Sequence, residues 1–113
     1  MAVRLNTTYE VAGGDVSLTV TIGNGQLGAS LVRLGTREIG SGQIKDLPVG
    51  KGPAITGKTL TVKTVVADVN DKTNRTNVGY SLKGGKVPKD YDLEATVDQE
   101  GDSIIYRATF EFC

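Results

Sequence analysis

Apolar and polar residues alternate along most of this chain, with the period of two that is typical of β-strands buried on one side only. The alternating apolar set is clearest in two runs, Val3, Leu5, Thr7, Tyr9, Val11 and Ile104, Tyr106, Ala108, Phe110, Phe112. The pattern predicts strands at 2–12, 16–22, 28–34, 36–39, 43–47, 59–69, 76–83, 90–98 and 103–112, and it is least regular in 36–39 and 43–47. No window of ten or more residues has the 3.6-residue period of a helix.

Short turn-forming sequences separate these runs. They are Gly13-Gly14-Asp15, Gly23-Asn24-Gly25, Gly84-Gly85-Lys86 and Gln99-Glu100-Gly101-Asp102. Closely spaced short strands joined by such turns are typical of sandwiches and barrels. We therefore expect residues 1–113 to form a single all-β domain, an antiparallel β-sandwich of seven to eight strands. A small closed β-barrel is the alternative.

One stretch interrupts the alternation. Residues 40–57 contain five glycines and two prolines, a composition that favours irregular backbone. We expect at most a short strand around Ile44 in this segment. Long irregular connections in compact domains are often functional loops.

The residue inventory excludes several kinds of catalytic site. Among 113 residues there is no histidine and one cysteine, Cys113, so histidine-based triads, Cys/His zinc sites and an intrachain disulfide are impossible. The carboxylates Asp90, Asp92 and Glu94 follow each other at two-residue spacing, as on the solvent-facing side of a strand. We therefore expect no enzyme activity and no cofactor.

Charge is balanced overall, with 13 basic and 13 acidic residues, which favours neither nucleic acid nor an anionic membrane as a partner. Its distribution is uneven. Residues 35–89 hold ten Lys/Arg and four Asp/Glu, a net charge of +6, whereas residues 90–113 hold one Arg and seven Asp/Glu, a net charge of −6. Cross-strand pairing would neutralise the two segments and is the favoured interpretation. The alternative is two opposed charged faces, which would favour head-to-tail self-association.

The segment from Gly52 to Thr59 matches the phosphate-loop pattern G-x-x-x-x-G-K-[ST]. In such a loop the backbone amides surround the phosphates, Lys58 would reach the terminal phosphate and Thr59 would hold magnesium. The pattern requires a helix after it, yet the residues that follow Thr59 read as a strand. We therefore interpret the segment as a loop entering a strand.

A second candidate is the oxygen-rich run 68–77, which joins two predicted strands. Asp68, Asn70 and Asp71 are the candidate ligands for a hard cation such as calcium, which prefers six to eight oxygen ligands. Lys72 and Arg75 in the same run oppose a cation. A hairpin loop in which Asp and Asn side chains cap their own backbone is the favoured interpretation.

These observations predict a non-enzymatic binding or assembly module that meets protein partners, or further copies of itself, through loops or an edge strand. The candidate loops are 40–58 and 68–77, and the candidate contact residues are Lys45, Lys51, Lys58, Asn74 and Arg75. We expect no small-molecule ligand. The alternatives are a calcium-dependent or carbohydrate-binding module, and a structural subunit of a larger shell or fibre.

Overall fold

The protein is a two-layer β-sandwich, as predicted. The computed structural model describes residues 2–99 and 101–113. The strands are β1 (Ala2–Tyr9), β2 (Asp15–Ile22), β3 (Leu27–Leu34), β4 (Arg37–Gly42), β5 (Leu47–Lys51), β6 (Thr59–Ala67), β7 (Arg75–Lys83), β8 (Lys89–Thr96) and β9 (Ser103–Phe112), with one short helix, α1 (Gly52–Ile55). The described residues therefore hold nine strands rather than seven or eight, because the irregular run 36–39 forms part of β4 and a further strand, β5, forms after the predicted run 43–47.

The strands make one sheet of five in the order β1-β9-β6-β3-β4 and one of four in the order β5-β2-β7-β8. Neither sheet closes on itself, so the barrel alternative does not apply. One pairing departs from the expected antiparallel pattern. β1 runs parallel to β9, with Ala2 opposite Ile105 and Tyr9 opposite Phe112.

The alternation in the sequence places one side of each strand in a shared core. In β6 the side chains of Leu60, Val62, Thr64 and Val66 are buried, whereas the intervening residues are half-buried or exposed. β9 shows the same phase from Ile104 to Phe112. A single hydrophobic cluster joins the two sheets. Since apolar burial is the main driving force for folding, this cluster determines which face of each sheet is turned inward.

The segment 40–57 is more regular than its composition indicates. The strand expected around Ile44 is wrong in position. Ile44 lies in the bend between β4 and β5, where its side chain is buried and its C=O accepts the Val20 N–H at 2.9 Å. The strand forms at Leu47–Lys51 instead, where Pro48 is tolerated because β5 is an edge strand.

The one-turn helix α1 was not expected from the sequence. It packs beside the loop that leads into β2, where the Gly52 N–H donates to the Gly14 carbonyl at 3.0 Å. A Cβ atom at Gly52 would collide with the Ala12 carbonyl oxygen, so only glycine fits there. Within the described ranges no helix is both long and apolar enough to cross a membrane.

Candidate interaction surfaces

The phosphate-loop-like segment does not have phosphate-loop geometry. The residues after Lys58 form strand β6, as predicted, at the place where a phosphate loop would be followed by a helix. Its backbone amides already have protein partners: the Gly57 N–H donates to the Phe112 carbonyl at 2.8 Å and the Lys58 N–H donates to the Ile55 carbonyl at 2.9 Å. A phosphate site needs such amides to be available. The sequence match therefore does not correspond to a nucleotide-binding site in this fold.

The five predicted contact residues are distributed over the molecule rather than gathered on one surface. The segment 40–58 is not one loop, since it contains the end of β4, all of β5 and helix α1. Lys45 lines a groove of about 410 Å³ between β2 and β3. Lys51 ends β5, and Lys58 lines an open hollow of about 810 Å³ near Arg37 and Glu38. Asn74 and Arg75 lie at the start of β7.

Gln26 organises the loop between β6 and β7. Its side chain is 6% exposed, and its Oε1 accepts the N–H groups of Val69 and Asn70 at 2.8 and 2.9 Å. Its Nε2 donates to the carbonyls of Thr73 and Arg75 at 3.2 and 3.0 Å. A glutamine can make four such bonds, two as acceptor and two as donor, and all four are made here. The sequence gives no sign of this role, because Gln26 is separated from the loop by more than forty residues.

The three candidate calcium ligands have different environments. The Asn70 side chain is occupied locally, since its Oδ1 accepts the Lys72 N–H at 3.1 Å and its Nδ2 donates to the Asn24 carbonyl at 2.8 Å. Asp71 is exposed. Asp68 continues the inward phase of β6 and is 1% exposed. Among residues 2–99 and 101–113, no group of three acidic, cysteine or histidine side chains is arranged to hold a metal ion.

Asp68 is a buried carboxyl group, and neither of its side-chain oxygens has a hydrogen-bond partner in the described part of the chain. Its backbone is well bonded: the Asp68 N–H donates to the Asp102 carbonyl at 2.9 Å, and its own carbonyl accepts the Gly101 N–H at 3.0 Å. A buried carboxyl group without partners destabilises a fold. We therefore expect the Asp68 side chain to lower the stability of the fold at this end of the sandwich.

All six aromatic side chains contribute to the core rather than to a binding platform. Five are buried, namely Tyr9, Tyr80, Tyr106, Phe110 and Phe112, and Tyr91 is half-buried. Tyr80 and Tyr91 both pack against Phe110, with ring centroids 6.0 and 5.3 Å apart. Burial raises the pKa of Tyr80 to about 12 and also raises the pKa of Tyr91 and of Tyr106. These phenols therefore stay protonated and cannot serve as bases near neutral pH.

The four edge strands differ in how they discourage pairing with another chain. β5 is five residues long and contains Pro48. β4 pairs with β3 through a bulge between Val32 and Arg33. β8 carries four charged side chains, Lys89, Asp90, Asp92 and Glu94. Natural sheets use these devices to protect edges.

β1 lacks all of these devices. It is eight residues long, contains no proline, pairs with β9 without a register shift, and carries one charge, Arg4. Tyr9 and Val11 bond to the β9 side: the Tyr9 carbonyl accepts the Cys113 N–H and the Val11 N–H donates to the Cys113 carbonyl. By alternation, Arg4, Asn6 and Thr8 direct their N–H and C=O groups to the open side of the sheet. Sequence reasoning missed these residues because an edge position depends on topology.

The outer face of the five-stranded sheet carries neighbouring like charges. Arg4 of β1, Arg107 of β9 and Lys63 of β6 lie opposite one another in one row across three strands. Neutralisation of the two charged segments by cross-strand pairing was the favoured expectation. Among the described residues one ion pair, Arg75–Glu94 at 3.6 Å, joins segment 35–89 to segment 90–113. The second described ion pair, Lys86–Glu10 at 3.2 Å, lies directly after β1, where the Lys86 N–H also donates to the Glu10 carbonyl at 3.1 Å.

A comparison of the chain with protein-family models, with curated proteins and with solved structures finds no match. The geometry of its edges and faces is therefore the basis on which a function can be inferred.

Proposed function

We propose that the protein is a non-enzymatic interaction module that binds an extended segment of a partner protein along β1, by addition of a strand to the five-stranded sheet. The observation that supports this most directly is the unprotected edge of β1, in contrast to the edges of β4, β5 and β8. Strand addition needs backbone donors and acceptors along such an edge, and Arg4, Asn6 and Thr8 supply them.

The side chains beside this edge indicate what kind of segment would fit. Val3 and Leu5 of β1 are half-buried and pack against the core, as do Tyr91 and Leu93 of β8 in the other sheet. A strand added next to β1 would place every second side chain over this partly open seam between the sheets. The partner segment is therefore extended, alternates apolar and polar residues, and has few charges.

The test uses random nonapeptides displayed on phage and selected on the intact protein. Selected peptides should alternate apolar and polar residues, and amide exchange at Asn6 and Thr8 should slow when they bind. Asn6→Pro removes an N–H on the open side of β1 and should weaken peptide binding at least tenfold. The matched variant Asn6→Ser keeps the N–H and should bind as the wild type does.

Two results would overturn the proposal. The first is equal binding of the selected peptides to Asn6→Pro and to the wild type. The second is slowed amide exchange confined to β8 or to the turns, with no change along β1. Circular dichroism of Asn6→Pro verifies that the variant is folded, which we expect because the Asn6 N–H lies outside the ladder with β9.

A further inference from the structure

The outer face of the five-stranded sheet is ordered in three zones at one end, where β6 ends and β9 begins. The middle zone, here called the apolar band, consists of Leu27, Ala29, Val65, Ala67 and Ile105, which are cross-strand neighbours in register. Large apolar side chains are exposed at four described positions. Leu27 and Val65 are two of them, at 65% and 41%, and Val69, at 48%, follows Ala67 by two residues. A contiguous exposed apolar patch of this kind marks an interaction surface.

Charges of opposite sign lie on the two sides of the apolar band. On one side is the row Arg4, Lys63 and Arg107, two residues along the strands from the row Ala29–Val65–Ile105. On the other side are the turns after β6 and before β9, with exposed carboxylates at Asp71, Asp98 and Asp102. The described part of these turns contains one exposed cation, Lys72. The face therefore runs from basic through apolar to acidic.

We infer that this face binds a second copy of the same chain, in a symmetric dimer whose two-fold axis runs across the strands, between the row Ala29–Val65–Ile105 and the row Leu27–Ala67. Rotation about an axis in the plane of the sheet reverses the strand direction and turns one face onto the other. The apolar bands then cover each other. The basic row of each copy faces the acidic turns of its partner, so each charge contact is made twice.

The distances along the strands agree with this arrangement. Arg107 is three residues from Ile104, which lies level with the axis, and Asp102 is two residues from Ile104 in the other direction, which is roughly 10 and 7 Å at the rise of a β-strand. A long arginine side chain spans the difference. Other axes serve less well, because an axis parallel to the strands would place the basic rows of the two copies against each other.

The area suits a weak dimer. Around the axis the face is three to four strands wide, because β1 and β4 reach it only with their ends, and over about eight residues these strands present roughly 400–500 Å². Two copies would together bury roughly 800–1,000 Å², which is below the standard size of a stable interface and in the range of a transient one. A dimer of modest affinity that salt weakens is therefore expected. This inference is independent of the proposed function, which concerns the edge of β1 and not this face.

Sedimentation equilibrium over a range of concentrations tests the dimer. We expect the wild type to dimerise, Val65→Lys to weaken the dimer at least tenfold, and Val87→Lys to leave it unchanged. Val87 is a matched control, because it is also an exposed valine, at 58%, and it lies in the turn before β8. A wild type that stays monomeric at millimolar concentration, or a dimer that survives Val65→Lys, would overturn the inference.

Charge exchange tests the pairing of the two charged zones. Arg107→Asp should weaken the dimer, and Arg107→Asp combined with Asp102→Arg should restore it, since both contacts of the symmetric pair are then exchanged. Failure of the double variant to recover, with Asp102→Arg alone shown to be folded by circular dichroism, contradicts the pairing. Neither variant alters a backbone group of β1, so peptide binding there reports separately on the proposed function.

The position of the axis has its own test. Val65 lies one residue from the two-fold axis and is therefore close to its own copy in the dimer. Val65→Cys, in a Cys113→Ser background that removes the exposed native thiol, should accordingly be cross-linked by a bis-maleimide. Val87→Cys in the same background should not be cross-linked. Equal cross-linking of both variants would overturn the assigned axis.

Discussion

Arg107 of β9 lies directly opposite Lys63 of β6 on the outer face of the five-stranded sheet, so two positive charges are cross-strand neighbours. Like charges at opposed positions destabilise a sheet, and Arg4 on the other side of Arg107 adds to the repulsion. Such an arrangement costs stability in the isolated chain and is relieved when an acidic surface covers it.

The first prediction follows from this pair. Lys63→Glu replaces the repulsion with an attractive pair and should raise the free energy of unfolding by about 0.5–1 kcal/mol at low salt. The measurement is urea denaturation at a concentration where the protein is monomeric. Lys83→Glu is the matched control, because its cross-strand partner is the uncharged Ser17. An equal effect of the two substitutions would show that the gain does not come from the pair with Arg107.

The second prediction concerns Asp68. Asp68→Asn removes a buried carboxyl group that has no hydrogen-bond partner among the described residues, and it should raise the free energy of unfolding by on the order of 1 kcal/mol. Thermal unfolding with and without calcium provides the measurement. Calcium should leave the melting temperature of the wild type unchanged. An increase in the wild type that Asp68→Asn abolishes would instead establish a cation site there.

The third prediction concerns the amide of Gln26. Gln26→Leu leaves four loop backbone groups without their partners and should lower the free energy of unfolding by about 2–4 kcal/mol. Amide exchange at Val69 and Asn70 should accelerate in a folded variant. Gln26→Glu keeps the acceptor oxygen and should retain slow exchange at those two amides. Unchanged exchange in Gln26→Leu would mean that the loop is held by other contacts.

The fourth prediction is a loss of stability in alkali. The pKa of Tyr80 is about 12 in the folded protein and about 10 in an unfolded chain, so the folded state holds this proton more tightly. Stability is therefore fully present below about pH 10 and declines by about 2 kcal/mol as the pH rises to 12. Urea denaturation across this pH range measures the decline. Tyr80→Phe should reduce the pH dependence, leaving the smaller part due to Tyr91 and Tyr106.

The two-residue period was sufficient to predict the sandwich, because burial on one side of a strand is a local property of the sequence. It predicted the inward phase of β6 and β9 correctly from Leu60 and Ile104 onward. It failed between residues 40 and 57, where glycine and proline favour loops but an edge position tolerates Pro48. The secondary structure of residues 40–57 therefore depends on their position at the sheet edge and not on their composition alone.

The candidate surfaces could not be predicted in the same way. That β1 is an edge, and that Arg4, Arg107 and Lys63 share a row, depends on which strands become neighbours. Strands separated by much of the chain contribute to each surface, and a period of two carries no information on their order. The predicted contact residues were chosen from loops, whereas the surfaces that we propose are a strand edge and a sheet face.

The parallel pairing of β1 with β9 has a consequence for biosynthesis. Ala2 and Ile105 are partners in the sheet but are 103 positions apart in the chain, so β1 is made long before its partner. During translation β1 remains unpaired until β9 has been synthesised, and its backbone N–H and C=O groups are available on both sides of the strand. Long-range pairing of this kind slows folding and exposes the nascent chain to pairing with the wrong strand, including β9 of another copy. We expect chaperone dependence and domain-swapped species to increase when the protein is made rapidly.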